Sequence, residues 1–350
     1  MSEGSMSGHK NKNGLLRIGT AKNHRHKAPG KKPEIDIIEG LKRFIDDRII
    51  EAAIPPNLRK RGVALKSSVR LGGLTNRNYK LQVGGESIVL RLPGRGTGRF
   101  IDRSTERANQ DAAARGGFTA HSIYFDGRTG VKITPFLHEA RAFDCESAQK
   151  EDSVEAIASL LSRFHHSGIR FVNDFDVFKL TRIYERVARG RFGKFYEGFD
   201  AAKKRIAAFE HPLSVLGSER VACHNDLVPE NILRTPSGLT LIDWEYSGMN
   251  DPAWDLASVI LESGLDAEAE HRFLACYTGS SVSERLRLRV DAYKLMQDFL
   301  WSLWSILQET ASRNPAKARG IREYGANRFL RALEMLPHVE ARFDISKTEE

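Results

Sequence analysis

Apolar and polar positions in the first third of the chain fall into two regimes. Over residues 35–53, Ile35, Ile38, Leu41, Ile45 and Ile49 recur among charged residues at near-helical spacing, and Pro55-Pro56 closes the run, which predicts a packing helix. Residues 63–92 then break into three strand-like pieces, 68–71, 79–83 and 87–92, separated by the glycine pairs Gly72-Gly73 and Gly84-Gly85, a pattern expected of a small antiparallel sheet. An Ala-rich polar stretch over 103–115 reads as a helix stopped by Gly116-Gly117, and 124–125 and 131–133 supply two further short strands. From Ser147 onward helical patterns dominate. They are interrupted by a strand pair between Asn231 and Asp243, whose apolar run 239–242 has the length of a short buried strand. No internal repeat is evident.

Charge changes this picture at one end only. The first 33 residues hold eight Lys/Arg against Glu3 alone and so supply +7 of the overall +9, leaving the remainder nearly neutral. With Leu15-Leu16 as its one apolar pair, this tail cannot offset the entropy of ordering and is expected to be disordered. It lacks the continuous apolar stretch of a secretory leader. Contact with nucleic acid or an anionic membrane is the sharper reading of its charge, and a solvated extension is the plainer one. A chain of 350 residues that is 41% hydrophobic can bury a large core. Cys145, Cys223 and Cys276 are widely spaced and contain no CxxC pair, which argues against a disulfide framework or structural zinc and for a reduced, cytoplasmic setting. No apolar stretch is long enough for a spanning helix.

The candidate chemistry lies in His224-Asn225-Asp226-Leu227-Val228-Pro229-Glu230-Asn231 and in Leu241-Ile242-Asp243-Trp244-Glu245-Tyr246. In phosphoryl transfer an Asp that accepts the substrate hydroxyl's proton precedes an Mg²⁺-binding Asn by five positions, and Asp226 and Asn231 have that offset. Asp243, at the end of the following strand, is an independent match to the second metal-binding carboxylate, and such oxygen donors suit Mg²⁺. Asn and Asp are also common turn residues, so the motif alone leaves that reading open. Arg91 ends the third strand, where kinase-fold enzymes place the cation that grips nucleotide phosphates, and Glu106 on the next helix is placed to pair with it. The loop from Gly72 through Gly73, Leu74, Thr75 and Asn76 to Asn78 is either a plain turn or a phosphate cradle. Trp301 and Trp304 share one helix face, and Tyr324 follows a basic loop; by spacing alone such a stripe is ordinarily core.

The segments HNDLVPENIL and LIDWEYSGMNDPAWDLA resemble the choline/ethanolamine kinases, particularly the bacterial choline kinases of the LicA type, within the wider aminoglycoside-phosphotransferase-like group. The resemblance runs from about Val69 to Tyr324 and is densest from Cys223 to Asp255. It implies an α+β, two-lobed, protein-kinase-like fold with a small antiparallel-sheet N-lobe (34–138) and a mostly helical C-lobe (139–350), behind the basic tail 1–33. It also implies ATP and Mg²⁺ as cofactors, Gly72 to Asn78 as the loop over the nucleotide, residues 133–137 as the adenine hinge, and Trp301, Trp304 and Tyr324 as an aromatic box for a trimethylammonium. That group has no N–H to donate and must be held by ring faces. Trp244, Glu245 and Tyr246 are expected on the near wall of that box, with Asp298 as an added carboxylate.

Several features depart from protein kinases. Asn225 stands in place of the Arg of HRD, Trp244-Glu245 replaces Phe-Gly, and neither GxGxxG nor APE occurs, so protein substrates are not expected. Val228 stands where many eukaryotic choline kinases have Gln, whereas the bacterial branch is similar in having LVPEN. The function implied is transfer of the ATP γ-phosphoryl to the hydroxyl of choline. The alternatives are an ethanolamine, aminoglycoside or thiamine kinase of the same fold, a non-catalytic nucleotide-binding module, and a basic-tail nucleic-acid-binding protein.

Overall fold

The computed structural model describes residues 65–72, 76–83, 85–94, 100–217 and 219–344. The helix expected over 35–53 and the basic tail lie outside the described residues. The chain opens with β1 (Leu65–Arg70), β2 (Arg77–Val83) and β3 (Glu86–Leu92), then α1 (Arg103–Arg115), β4 (Tyr124–Phe125) and β5 (Lys132–Pro135). These strands form one antiparallel sheet in the order β1-β2-β3-β5-β4, with Tyr79 opposite Leu90 and Arg91 opposite both Asn78 and Lys132. Alternation places Tyr79, Leu81, Ile88, Leu90, Leu92 and Ile133 in a small core on one face. Helix α1 starts where the Asp102 carboxylate accepts from the Ser104 and Thr105 amides, and it ends at Gly116 with Gly117 at a positive φ.

The larger part comprises β6 (Arg141–Ala142), α2 (Cys145–Ala148), α3 (Glu151–His165), α4 (Val177–Gly190), α5 (Phe199–Ala207), α6 (Glu210–Leu216), β7 (Val221–Cys223), β8 (Ile232–Thr235), β9 (Gly238–Leu241), β10 (Gly248–Asn250), α7 (Pro252–Ser263), α8 (Ala267–Thr278), α9 (Glu284–Ala311) and α10 (Pro315–Phe343). Strand β7 pairs with β10, and β6-β8-β9 form a second small sheet. Two apolar clusters fill the interior. One packs Phe164, Trp244, Leu256 and Phe273 beneath the loop that follows β7. The other gathers Phe199, Phe299, Leu303 and Phe329 around α9, whose stretch Leu295 to Leu303 is buried on every face. Small sheet and helical part together are the two-lobed, kinase-like α+β fold.

Two expected strands shift. The strand expected over 239–242 is β9, Gly238–Leu241: Gly238 at φ 120° starts it from a tight turn, and Ile242 leaves it half-exposed while donating its N–H to Asn231 O. The strand expected over 131–133 is β5, because Val131 is drawn into the Asp126–Gly130 turn.

Helices α9 and α10 approach closely at Gly325, where a methyl group would collide with Ser305 Oγ and Tyr196 Oη, two hydroxyls that bond each other at 2.7 Å. Gly325→Ala would gain about 1 kcal/mol of helix propensity if room existed. The collision should instead make it destabilising by about 1–3 kcal/mol, which a urea-denaturation midpoint measures. A rise in midpoint would refute the close packing.

Candidate active site

The loop after β7 is held from beneath. Asp255, fully buried on α7, accepts the His224 amide at Oδ2 and the Asn225 amide at Oδ1, both at 2.8 Å. His165 on α3 places Nε2 3.2 Å from Asp255 Oδ2 and Nδ1 3.0 Å from the Tyr277 hydroxyl. With an ionised Asp255, which can only accept, His165 carries its proton on Nε2 and takes the Tyr277 O–H at Nδ1. Asn225 sits at φ 65°, a left-handed conformation that Asn adopts more readily than most residues. Its Nδ2 donates to Tyr246 O at 3.0 Å, its Oδ1 accepts from Asn250 at 2.9 Å, and its carbonyl accepts Trp254 Nε1–H at 3.2 Å. The departure from HRD is thereby explained: a compact amide ties together backbone that a long cation would push apart.

This anchoring sets Asp226, Asn231 and Asp243 on adjoining loops as a candidate pocket. Asn231 Nδ2 donates to Asp226 O at 2.8 Å and lies 3.5 Å from the Asp226 carboxylate, while His224 Nε2 donates to Ile242 O at 2.9 Å, directly before Asp243. Asp243 is left-handed at φ 66°. Burial, then repulsion from Asp243 and Glu245, pushes the Asp226 carboxyl well above the usual range. Burial lowers His224, keeping its imidazole neutral. The Asn231 side chain spends its N–H group on Asp226 and leaves its oxygen without a hydrogen bond among the described residues. That oxygen and the part-exposed Asp243 carboxylate fit a hard divalent cation.

Above this pocket lies a buried charge network. Arg91 forks onto Glu106 at 2.5 and 2.9 Å and reaches Asp243 Oδ1 at 3.2 Å. Arg103 joins Glu106 (2.6 Å) to Glu245 (3.0 Å), and Lys132 contacts Glu106 (3.3 Å) and Gln110 (2.7 Å). Burial opposes charge on Glu106, yet Arg91 and Lys132 hold it well below the ordinary carboxylate range; burial and Arg91 together lower Lys132. The expected Arg91–Glu106 pair is thus formed, and Asn76, just before β2, donates to Glu245 at 3.1 Å. Gly72 accepts from Asn78 Nδ2 at 3.0 Å, whereas Gly73, Leu74 and Thr75 lie outside the described residues.

The aromatic residues form two edge-to-face pairs, Tyr246–Trp301 at 5.3 Å and Trp304–Tyr324 at 6.3 Å. The first pair is tied to the loop after β7, since the Tyr246 carbonyl accepts from Asn225 Nδ2 at 3.0 Å, and burial raises both phenols. Three expectations need correction. Trp244 is not on the near wall: it is fully buried against Phe164, Phe171 and His224, a large apolar ring taken up by the core beneath the loop. Glu245 faces Arg103 and Asn76 instead of the aromatic rings. Asp298 is no open acceptor, being fully buried between Arg328 and Arg331.

The choline/ethanolamine kinase family model matches residues 68–279. The chain belongs to that family. Among its relatives is the LicA protein of Haemophilus influenzae, 31% identical over 252 residues, 70% of this chain and 74% of LicA. A crystal structure of LicA in complex with AMP superposes with a TM-score of 0.71 at 30% identity, covering 84% of this chain and 98% of that one. The choline kinase LicA from Streptococcus pneumoniae gives 0.70 at 30% identity, with 85% and 99% covered. As a family member the chain is a phosphotransferase that uses ATP as cosubstrate and acts on an alcohol group of a small molecule such as choline or ethanolamine.

Sequence reasoning missed Asp255, His165, Arg103 and Lys132. Only Arg103, three positions before Glu106 on one helix, had a local signal. Asp255→Asn would set an amide N–H₂ against a buried backbone N–H. The expected cost is about 1–3 kcal/mol of stability and about 10²-fold in kcat from displacement of the loop. Urea denaturation and steady-state kinetics measure the two, and an unchanged kcat would remove Asp255 from the site's support.

Proposed function

We propose that the chain transfers the γ-phosphoryl of ATP to the hydroxyl of choline, giving phosphocholine and ADP. The hydrogen bonds of Asn231 to Asp226 and of His224 to Ile242, directly before Asp243, support this reading, together with the aromatic pairs Tyr246–Trp301 and Trp304–Tyr324. Asp226 orients the hydroxyl and takes its proton. Arg91, kept rigid by Glu106, neutralises phosphate charge on the donor. The glycine loop that begins at Gly72 serves the donor phosphates, and Asn76 at its end is fixed to Glu245. Tyr246, Trp301, Trp304 and Tyr324 offer ring faces to the quaternary ammonium. Asn231 and Asp243 would hold Mg²⁺, which supplies charge neutralisation at the transferring phosphoryl. Alignment and electrostatics do most of the work.

On this reading residues 34–138 form the nucleotide lobe and 139–350 the catalytic and acceptor lobe. The free cysteines Cys145, Cys223 and Cys276 support a cytoplasmic setting. Among the described residues no helix is long and apolar enough to cross a membrane.

An ADP-release assay with choline and ethanolamine side by side tests the proposal, and turnover with choline should exceed that with ethanolamine. Asp226→Ala should lower kcat by about 10²–10⁴-fold while leaving nucleotide affinity nearly unchanged, and EDTA should abolish turnover. Retained turnover in Asp226→Ala removes Asp226 from the chemistry.

A further inference from the structure

Behind the aromatic pairs the acidic groups are already engaged. Glu262, at the end of α7, accepts both oxygens' worth of Arg328 Nη2 at 2.5 and 2.6 Å, and Arg328 Nη1 reaches Asp298 at 3.1 Å. Arg331 takes Asp298 from the other side with two bonds of 2.5 Å. Arg328 is only 5% exposed, and its guanidinium carbon stands 4.8 Å from the centre of the Tyr324 ring, on the residue that pairs with Trp304. Glu262 and Arg328 are also close enough for their charges to act on Asp226. The cluster therefore borders the acceptor pocket.

We infer that Arg328 sets acceptor selectivity: by occupying Glu262 it leaves, apart from Asp226 and among the described residues, no uncommitted carboxylate beside the aromatic pairs for the cationic head of the substrate. The inference rests on the reading of this pocket as the site of an amino alcohol. A quaternary ammonium has no N–H and needs only ring faces and a favourable field. A primary ammonium brings three N–H donors, each of which loses a water partner on burial and must find an acceptor. Here Asp298 is shared by two guanidiniums and Glu262 is gripped by one, so a primary ammonium must compete with Arg328. Each methyl group on the acceptor nitrogen removes one such demand. Arg328 bonds to Glu262 and Asp298, and to none of Asp226, Asn231 and Asp243, so it acts on the choice of substrate rather than on the transfer.

The test uses the full-length enzyme and kcat/KM for ethanolamine, its N-methyl and N,N-dimethyl derivatives, and choline. The native enzyme should improve stepwise along the series. In Arg328→Met, Glu262 becomes available and the ethanolamine-to-choline ratio should rise about 10-fold or more, the scale of one charge-assisted hydrogen bond. Adding Glu262→Gln to that variant should return the ratio toward the native value. A ratio that stays within about twofold of native in Arg328→Met overturns the inference, as does a rise that survives Glu262→Gln. Should Arg328→Met not fold, Arg328→Lys keeps the cation and loses the fork; a smaller rise of about threefold supports the inference and an unmoved ratio overturns it. An enzyme inactive on all four acceptors overturns the choline reading together with this one, whereas activity on choline with an unmoved ratio overturns this one alone.

Discussion

Two backbone N–H groups on one buried carboxylate organise the active site. Asp255 takes the amides of His224 and Asn225, and with them fixes the direction in which the chain enters Asp226. A carboxylate in a fully buried position is costly unless its oxygens are satisfied, and these two are satisfied by backbone and by His165. The cost of burying that charge is offset only when the loop is in place. Anchor and loop are therefore mutually dependent, and the left-handed Asn225 persists because Tyr246, Asn250 and Trp254 over-determine it. His224 carries the same order to Asp243 through Ile242 O, so positions separated by a hairpin in sequence are set by one support.

What could be read from the residues divides by range. The offset between Asp226 and Asn231, and the strand that delivers Asp243, are local features, and local spacing survives folding. The five-stranded sheet and α1 were legible for the same reason: glycine pairs, a helix stop and alternation mark elements a few residues long. Trp301, Trp304 and Tyr324 were ambiguous by pattern, since a helical aromatic stripe reads as core, and only the family resemblance pointed to a box. Asp255, His165 and Lys132 were invisible because their partners come from other elements; an acid within the apolar stretch of α7 does not announce which amides it will meet. Trp244 was misplaced by proximity to Asp243. Neighbours along an extended chain point to opposite sides, so adjacency to Asp243 did not put Trp244 in the same space.

The two parts of the molecule differ in how they handle charge. Arg91, Arg103 and Lys132 face Glu106, Asp243 and Glu245 at the junction of sheet and helices, so charges of both signs are buried together where a polyanionic nucleotide must be accommodated. Breaking one member strands the rest, which makes the network rigid in a way that a single ion pair is not. Around Tyr324 guanidiniums engage the nearby acids, and one of them also lies over the Tyr324 ring.

Glu245 stands two residues beyond Asp243 and is held at once by Asn76, at the root of the glycine loop, and by Arg103 at the start of α1. Separating Asn76 from Glu245 would strip a buried acid of one of its donors. One carboxylate thus staples the start of β2 and the start of α1 to the turn that presents Asp243, so sheet, helix and turn are kept in register by a single side chain.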